Sequence, residues 1–269
     1  MCIIYSCYKG VPTKEEQALG AEGNIHGAGI CWIQGRGTAK AKVHFLKGLK
    51  SEPDAVMEQI EKRKIPFPYA IHYRSASIGG VCDELTHPFP ITDDVEDFLE
   101  GSTRRVLMHN GHIGDWKKWF TQIMFSSPNA IPVGPWSDSR ALAAVVNAKG
   151  EGVLEFIIEQ SRVLIMDAIP SVGCDAADPE SYIRTYGTWI DHPQEGYSQS
   201  TSTYKRPKEQ WSQGRDQRGG GHACGLPILE QGRIVPTKVE ENAWTVDELE
   251  GLVSDLRKEQ DAARVMLGC

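Results

Sequence analysis

The chain has 269 residues, 40% of them hydrophobic and 24% charged, the profile of an ordinary soluble globular protein. A chain of this length buries roughly 70–75% of its unfolded surface, so neither metals nor disulfides are needed to hold it together. Lys and Arg number 29 against 36 Asp and Glu, for a formal net charge of -7, which argues against a general nucleic-acid binder because such proteins need a basic face to displace counterions.

In chain order, 2–8, 28–34, 43–46, 68–73 and 104–108 are short β-branched or aromatic runs bounded by Gly, Pro or charge, and are expected as strands. Pro53 to Lys62 carries Val56, Met57 and Ile60 at helical spacing. Ile113 to Met124 does the same with Ile113, Trp116, Phe120 and Ile123, so both are expected as amphipathic helices. A third helix is expected over Ser137 to Asn147, with further strands at 153–158 and 162–167. Strands and helices mix without a regular βαβ alternation, which favours an α+β fold with mainly antiparallel sheets.

From Ser198 to His222 the composition shifts to Ser, Thr, Gln, Gly, Lys and Arg and reads as linker or loop. Residues 204–218 hold five basic and two acidic side chains, a basic patch or simply a solvated loop. Thr245 and Glu248 then form a capping-box pattern. Val246, Leu249, Val253, Leu256, Ala263 and Leu267 continue it as a stripe, so a C-terminal helix is expected, docked on its own domain or on a partner.

No apolar run approaches the roughly 18 residues of a membrane span, and the N-terminus lacks signal-peptide character. A cytoplasmic protein without membrane contact is therefore expected. The seven cysteines are odd in number with no Cys-x-x-Cys pair, so no structural metal and no disulfide framework are expected.

One cysteine stands apart. Cys2 comes directly after the initiator Met, and removing Met1 would place a thiol and a free α-amine on one residue. The α-amine titrates at about 7.7–8.0 when unperturbed, so part of it is neutral and able to accept the thiol proton. A retained Met1 would abolish that base.

Four further segments share the order of a known family. Ile71-His72-Tyr73-Arg74-Ser75-Ala76-Ser77-Ile78-Gly79 resembles a strand ending in His-x-Arg-x-Ala/Ser-Thr-x-Gly, and Thr86-His87-Pro88-Phe89 resembles the His-Pro-Phe that often comes after it. Met108-His109-Asn110-Gly111 matches a His-Asn-Gly signature, and Ser137-Asp138-Ser139-Arg140 resembles an Asp-Ser/Thr-Glu segment. Together with Cys2 these resemble the class II glutamine amidotransferases, whose nucleophile is an N-terminal cysteine. The resemblance covers roughly residues 2–200. It departs at Cys2-Ile3-Ile4, where the family commonly reads Cys-Gly-Ile, at Ser77-Ile78, where Thr-His is common, and at Arg140, which replaces an acidic residue. Asn24 to Gly29 only loosely resembles the family's second glycine-containing motif.

The resemblance implies a four-layer αββα sandwich of the N-terminal nucleophile (Ntn) hydrolase type over 2–214, with a linker and C-terminal helical extension over 215–269. It also implies hydrolysis of L-glutamine to glutamate and ammonia through a γ-glutamyl thioester on Cys2, with no cofactor. Glutamine presents a carboxylate, an ammonium and a neutral carboxamide, so its site needs a fixed cation, a fixed anion and an oxyanion hole. Arg74 would grip the carboxylate with its planar fork, and Asp138 would pair with the ammonium. Ser77 would line the same pocket, while the Asn110 side-chain amide and the Gly111 N–H would donate to the oxyanion.

Each residue also has a plainer reading. Asn-Gly is a turn dipeptide, Arg74 a surface ion pair, and Asp138 or Ser137 a helix cap. His26, His72, His87 and His109 are read as core or hydrogen-bonding residues, since an α-amine base makes a catalytic histidine unnecessary. The stretch beyond residue 200 is too short for a nucleotide-binding synthase, so a separate ammonia-accepting synthase is expected as partner. Two alternatives stay open: a stand-alone amidohydrolase acting on a γ-glutamyl or related amide, and a catalytically idle binding subunit.

Overall fold

The computed structural model describes residues 2–93, 98–119, 121, 134–157 and 161–202, together with 228–230 and 233–235. The chain divides into two compact units, Met1–Cys224 and Gly225–Cys269. In the second, β12 (Ile228–Glu230) and β13 (Arg233–Val235) form an antiparallel pair. The stripe from Val246 to Leu267 and the basic stretch 204–218 lie outside the described residues.

The first unit is mixed α/β and holds two antiparallel sheets. Seven strands make the larger, in the order β10 (Ile190–His192), β11 (Tyr197–Gln199), β1 (Ile3–Cys7), β4 (Tyr69–Tyr73), β2 (Ala28–Gln34), β3 (Lys42–Leu49) and β6 (Glu100–Thr103). The smaller sheet is ordered β5 (Phe89–Pro90), β7 (Arg105–Asn110), β8 (Arg162–Asp167) and β9 (Ile183–Tyr186). The strand runs expected at the start of the chain, at 28–34, at 68–73 and at 162–167 are all present.

Successive residues of a strand point to opposite faces, and both faces of β1, β2 and β4 are apolar. One face carries Ile3, Tyr5, Ile30, Trp32, Ile71 and Tyr73, packed with Ala21 of α1 (Lys14–Glu22) and with Val56 and Ile60 of α2 (Pro53–Arg63). The other carries Ile4, Cys31, Ile33 and Ala70, which join Val106, Met108, Leu164 and Met166 of the smaller sheet in one core. The helix α3 (Asp138–Lys149) packs on β5 and β7, with Ser137 as N-cap accepting from the Arg140 N–H.

Three expectations are corrected. Of the strand expected over 153–158, residues 153–157 are not a strand, because Glu151–Val153 form a 3-10 turn and Leu154–Ile157 a helical one, and residue 158 lies outside the described residues. A strand would bury Leu154 and Phe156 on one face, yet Leu154 is sealed in the core and Phe156 is 83% exposed. The helix expected from Ile113 begins only at Trp116, and beyond Thr121 it lies outside the described residues. The tract expected as linker from Ser198 starts as strand: Ser198 and Gln199 belong to β11, and Ser200 and Thr201 are buried beside it.

Candidate active site

Strand register assembles the site. In the β1–β4 pair Ile3 lies opposite Tyr73 and Ile4 opposite His72, so one residue further the same register sets Cys2 opposite Arg74. The backbone agrees: the Ser75 N–H donates to Cys2 Sγ at 3.4 Å, and the thiol donates to the Ser75 carbonyl at 3.5 Å. By alternation Cys2 shares the face of Ile4, and Arg74 that of Ala70 and His72. This is the face turned toward the smaller sheet.

From that smaller sheet comes Asn110, the last residue of β7 and 1% exposed. Its Nδ2 donates to Ser200 Oγ at 2.9 Å, and the Ile4 N–H donates to the same oxygen at 2.9 Å. The Ser200 N–H in turn donates to the Ile4 carbonyl at 3.0 Å. A single hydroxyl thus ties Asn110 to the strand that starts just after Cys2. Asn110 Oδ1 is buried without a hydrogen-bond partner among the described residues.

Gly111 comes next, and packing decides its residue type. A Cβ built there would run into the Ser161 side chain and come within 2.9 Å of His109 Nε2, so only glycine fits without displacing its neighbours. Asp138, at the first position of α3, accepts from the Ile113 N–H at 3.0 Å and from the Ser139 N–H at 2.9 Å. The helix N-terminus favours its negative charge, and the bond to Ile113 pins the segment that leaves Asn110-Gly111. Of Ser137 and Asp138, the capping role falls to Ser137.

Arg74 is buried, and its Nη2 donates to the Ile78 carbonyl at 3.4 Å and the Gly80 carbonyl at 2.8 Å. Those bonds fold 75–80 around the guanidinium. The loop holds the half-buried Ser75 and the exposed Ser77. Gly79 in the same loop has φ +84° and lies against the Trp136 carbonyl, where a side chain would be strained.

The electrostatics connect these residues. Burial pushes the Cys2 thiol above its ordinary value; the Ser75 backbone bond and the Arg74 charge oppose that shift, and the Asp138 charge reinforces it. Part of the Cys2 surface stays accessible, while enclosure around the sulfur sets the direction. At neutral pH the thiol keeps its proton, so attack requires a base. Both the cation and the anion expected to hold a zwitterionic substrate act on this one sulfur.

His72, His87 and His109 are core residues. His72 and His87 stack with ring centroids 3.9 Å apart, and His109 Nδ1 lies 2.9 Å from Ser139 Oγ. Burial pushes His72 down to about 3, and lowers His87 and His109 as well. An imidazole so depressed is a poor base at pH 7. His26 Nδ1 accepts from the Ala76 N–H at 2.9 Å and so steadies the loop beside Arg74.

Of the residues expected from sequence, Cys2 and Arg74 are placed side by side, Asn110 is joined to their sheet through Ser200, and Asp138 acts electrostatically on the thiol. Ser77 sits at the exposed rim. Ser75 and Ser200 carry no signal in the sequence; Ser200 lies in a tract of Ser and Thr whose composition hides it. Among the described residues no group of three His, Cys, Asp or Glu could hold a metal ion, and no helix is long and apolar enough to cross a membrane.

No family model matches the chain, and no curated protein matches it. Among solved structures it is similar to glutamine phosphoribosylpyrophosphate amidotransferase from B. subtilis complexed with ADP and GMP, at 18% identity and a TM-score of 0.42. That match covers 62% of this chain and 35% of the other. A second similar structure is an allosteric regulatory enzyme of purine biosynthesis, at 20% identity and a TM-score of 0.41, covering 62% of this chain and 36% of the other. The chain spans about a third of the length of either.

Proposed function

We propose that this chain is a glutaminase of the class II glutamine amidotransferase type, built on the Ntn-hydrolase four-layer αββα sandwich over 2–214 with an extension over 215–269. The observation that carries the reading is the convergence of Cys2, Arg74, Asp138 and Asn110 from four separate segments onto one end of the space between the sheets. Support for the layers comes from the two cores on opposite faces of the seven-stranded sheet and from α3 on the outside of the smaller one.

Removal of Met1 leaves Cys2 with a free α-amine, which takes the thiol proton as Sγ attacks the glutamine carboxamide carbon. The carbonyl oxygen becomes an oxyanion, facing the Asn110 side-chain amide and the Gly111 N–H. Collapse breaks the C–N bond, the amine returns the proton to the leaving group, and ammonia departs. Water then cleaves the γ-glutamyl thioester to glutamate and restores the thiol. Arg74 holds the substrate carboxylate, Asp138 its ammonium, and Ser77 the rim of the pocket. Ammonia passes to a separate synthase.

The test compares release of glutamate and ammonia from free glutamine with turnover of γ-glutamyl conjugates by protein beginning at Cys2. Faster turnover of free glutamine supports the reading. Turnover of conjugates alone would replace it with the stand-alone amidohydrolase.

A further inference from the structure

The contacts of Ser200 leave the Asn110 amide with a choice that chemistry resolves. With Nδ2 donating to Ser200 Oγ, that oxygen accepts from both the Ile4 N–H and Asn110, and Asn110 Oδ1 is buried with no hydrogen-bond partner among the described residues. A carbonyl oxygen turned into the site would repel a developing oxyanion. Rotating the amide by half a turn exchanges two groups of nearly equal size. The Ser200 hydroxyl, free to rotate, then donates to Oδ1 while still accepting from Ile4. Its O–H donor and one of its two acceptor lone pairs are then used, and the two N–H groups of Asn110 face the site.

We infer that Ser200 is the positioning residue of the oxyanion hole: held by the Ile4 N–H, its hydroxyl donates to Asn110 Oδ1 and so turns Asn110 Nδ2 toward the carbonyl oxygen under attack. This rests on the glutaminase reading of the same site. Two features make the device rigid. Ser200 is itself 1% exposed, and its backbone N–H is bonded to the Ile4 carbonyl, so the hydroxyl is carried by a strand neighbour of β1. Strand β1 begins directly after the nucleophile, so one hydroxyl sets the distance between attacking sulfur and oxyanion donor. A donor that strengthens only as charge develops acts on kcat rather than on substrate binding.

The experiment is a double-mutant cycle on the full chain, with kcat and KM for glutamine measured for wild type, Ser200→Ala, Asn110→Ala and the double variant. Complete loss of an oxyanion donor costs ~10²–10³ in rate. Ser200→Ala, which leaves the donor present but misaligned, should therefore lower kcat by about 10-fold or more with KM within about 2-fold. The double variant should be no slower than Asn110→Ala alone. Ser200→Thr, which keeps the hydroxyl, should recover most of the loss. Ser200→Cys, close in size but a weak donor and acceptor, should fall between wild type and Ser200→Ala, and it carries the comparison if the alanine variant does not fold. Alkylation of Cys2 by iodoacetamide should be unchanged in Ser200→Ala, because thiol access does not depend on the amide. Wild-type kcat in folded Ser200→Ala or Ser200→Cys, with Asn110→Ala slow, overturns the positioning role and leaves the glutaminase reading standing. Fully additive losses in the cycle overturn it as well. No glutamine turnover in wild type beginning at Cys2 overturns both.

Discussion

Two polar clusters in this protein are built to opposite rules. Around Glu151 every charge is answered: its carboxylate takes Arg184 at 2.7 and 2.8 Å, Tyr186 Oη at 2.6 Å and Arg105 at 3.2 Å, and Arg184 also reaches Asp167 at 3.0 Å. Around the end of β7, Asn110 Oδ1, His72 Nδ1 of β4 and both ring nitrogens of His87, which stacks on His72, are buried without hydrogen-bond partners among the described residues. Buried polar atoms are nearly always satisfied. A saturated network is what stability selects, whereas here the two histidines are held by stacking in the core and one end of the Asn110 amide is left for a substrate.

Of the open site's residues, the thiol is the one the chemistry can least do without. Cys2→Ala should abolish glutamine hydrolysis while leaving the folded structure intact, checked by glutamate release and circular dichroism. Next in size, Asn110→Ala should lower kcat by ~10²–10³ with little change in KM; a change in KM alone would contradict its oxyanion role. Asp138→Asn should act on binding instead, raising KM by roughly 10- to 100-fold, the worth of a hydrogen bond to a charged group. Kinetics across a glutamine series distinguishes the two.

The saturated cluster predicts the reverse pattern. Glu151→Gln should destabilise the fold by about 1–3 kcal/mol with unchanged kcat, read by denaturant titration alongside the glutaminase assay. Burial raises the Glu151 carboxyl, but the hydrogen bonds from Arg184, Tyr186 and Arg105 outweigh it and leave the value below the ordinary 4.5. A depressed carboxylate contributes stability that is complete above its unfolded value and is lost as pH falls through the folded one. Wild type should therefore lose stability below about pH 4.5 more steeply than Glu151→Gln.

Legibility in the sequence tracks physical causes. The strands 28–34 and 162–167 are apolar and β-branched, and their pattern is their burial. Helix α1 is silent because its buried face is Gln17, Gly20 and Ala21, which carry almost no apolar period. Gly20 is there for closeness to Tyr5: a Cβ added at this position would lie 2.6 Å from the Tyr5 hydroxyl, which leaves no room for a side chain. The capping box of Thr13 and Glu16 is the one signal available. Residues 198–201 mislead for the opposite reason, since a tract of Ser, Gln and Thr reads as linker yet is buried, in and directly after β11. The site types at Cys2, Arg74, Asn110 and Asp138 can be read in order along the chain. Their meeting depends on the β1–β4 register and on Ser200, and neither is written in local pattern.

Whether Cys2 is the nucleophile is decided by intact mass and peptide mapping of the protein after reaction with a glutamine-mimicking electrophile, with and without excess glutamine. The expected result is a chain beginning at Cys2 that carries one adduct, placed on Cys2 and prevented by glutamine. An adduct on Cys82 or Cys174, the other cysteines with accessible surface among the described residues, or no adduct on a protein freed of Met1, would contradict it.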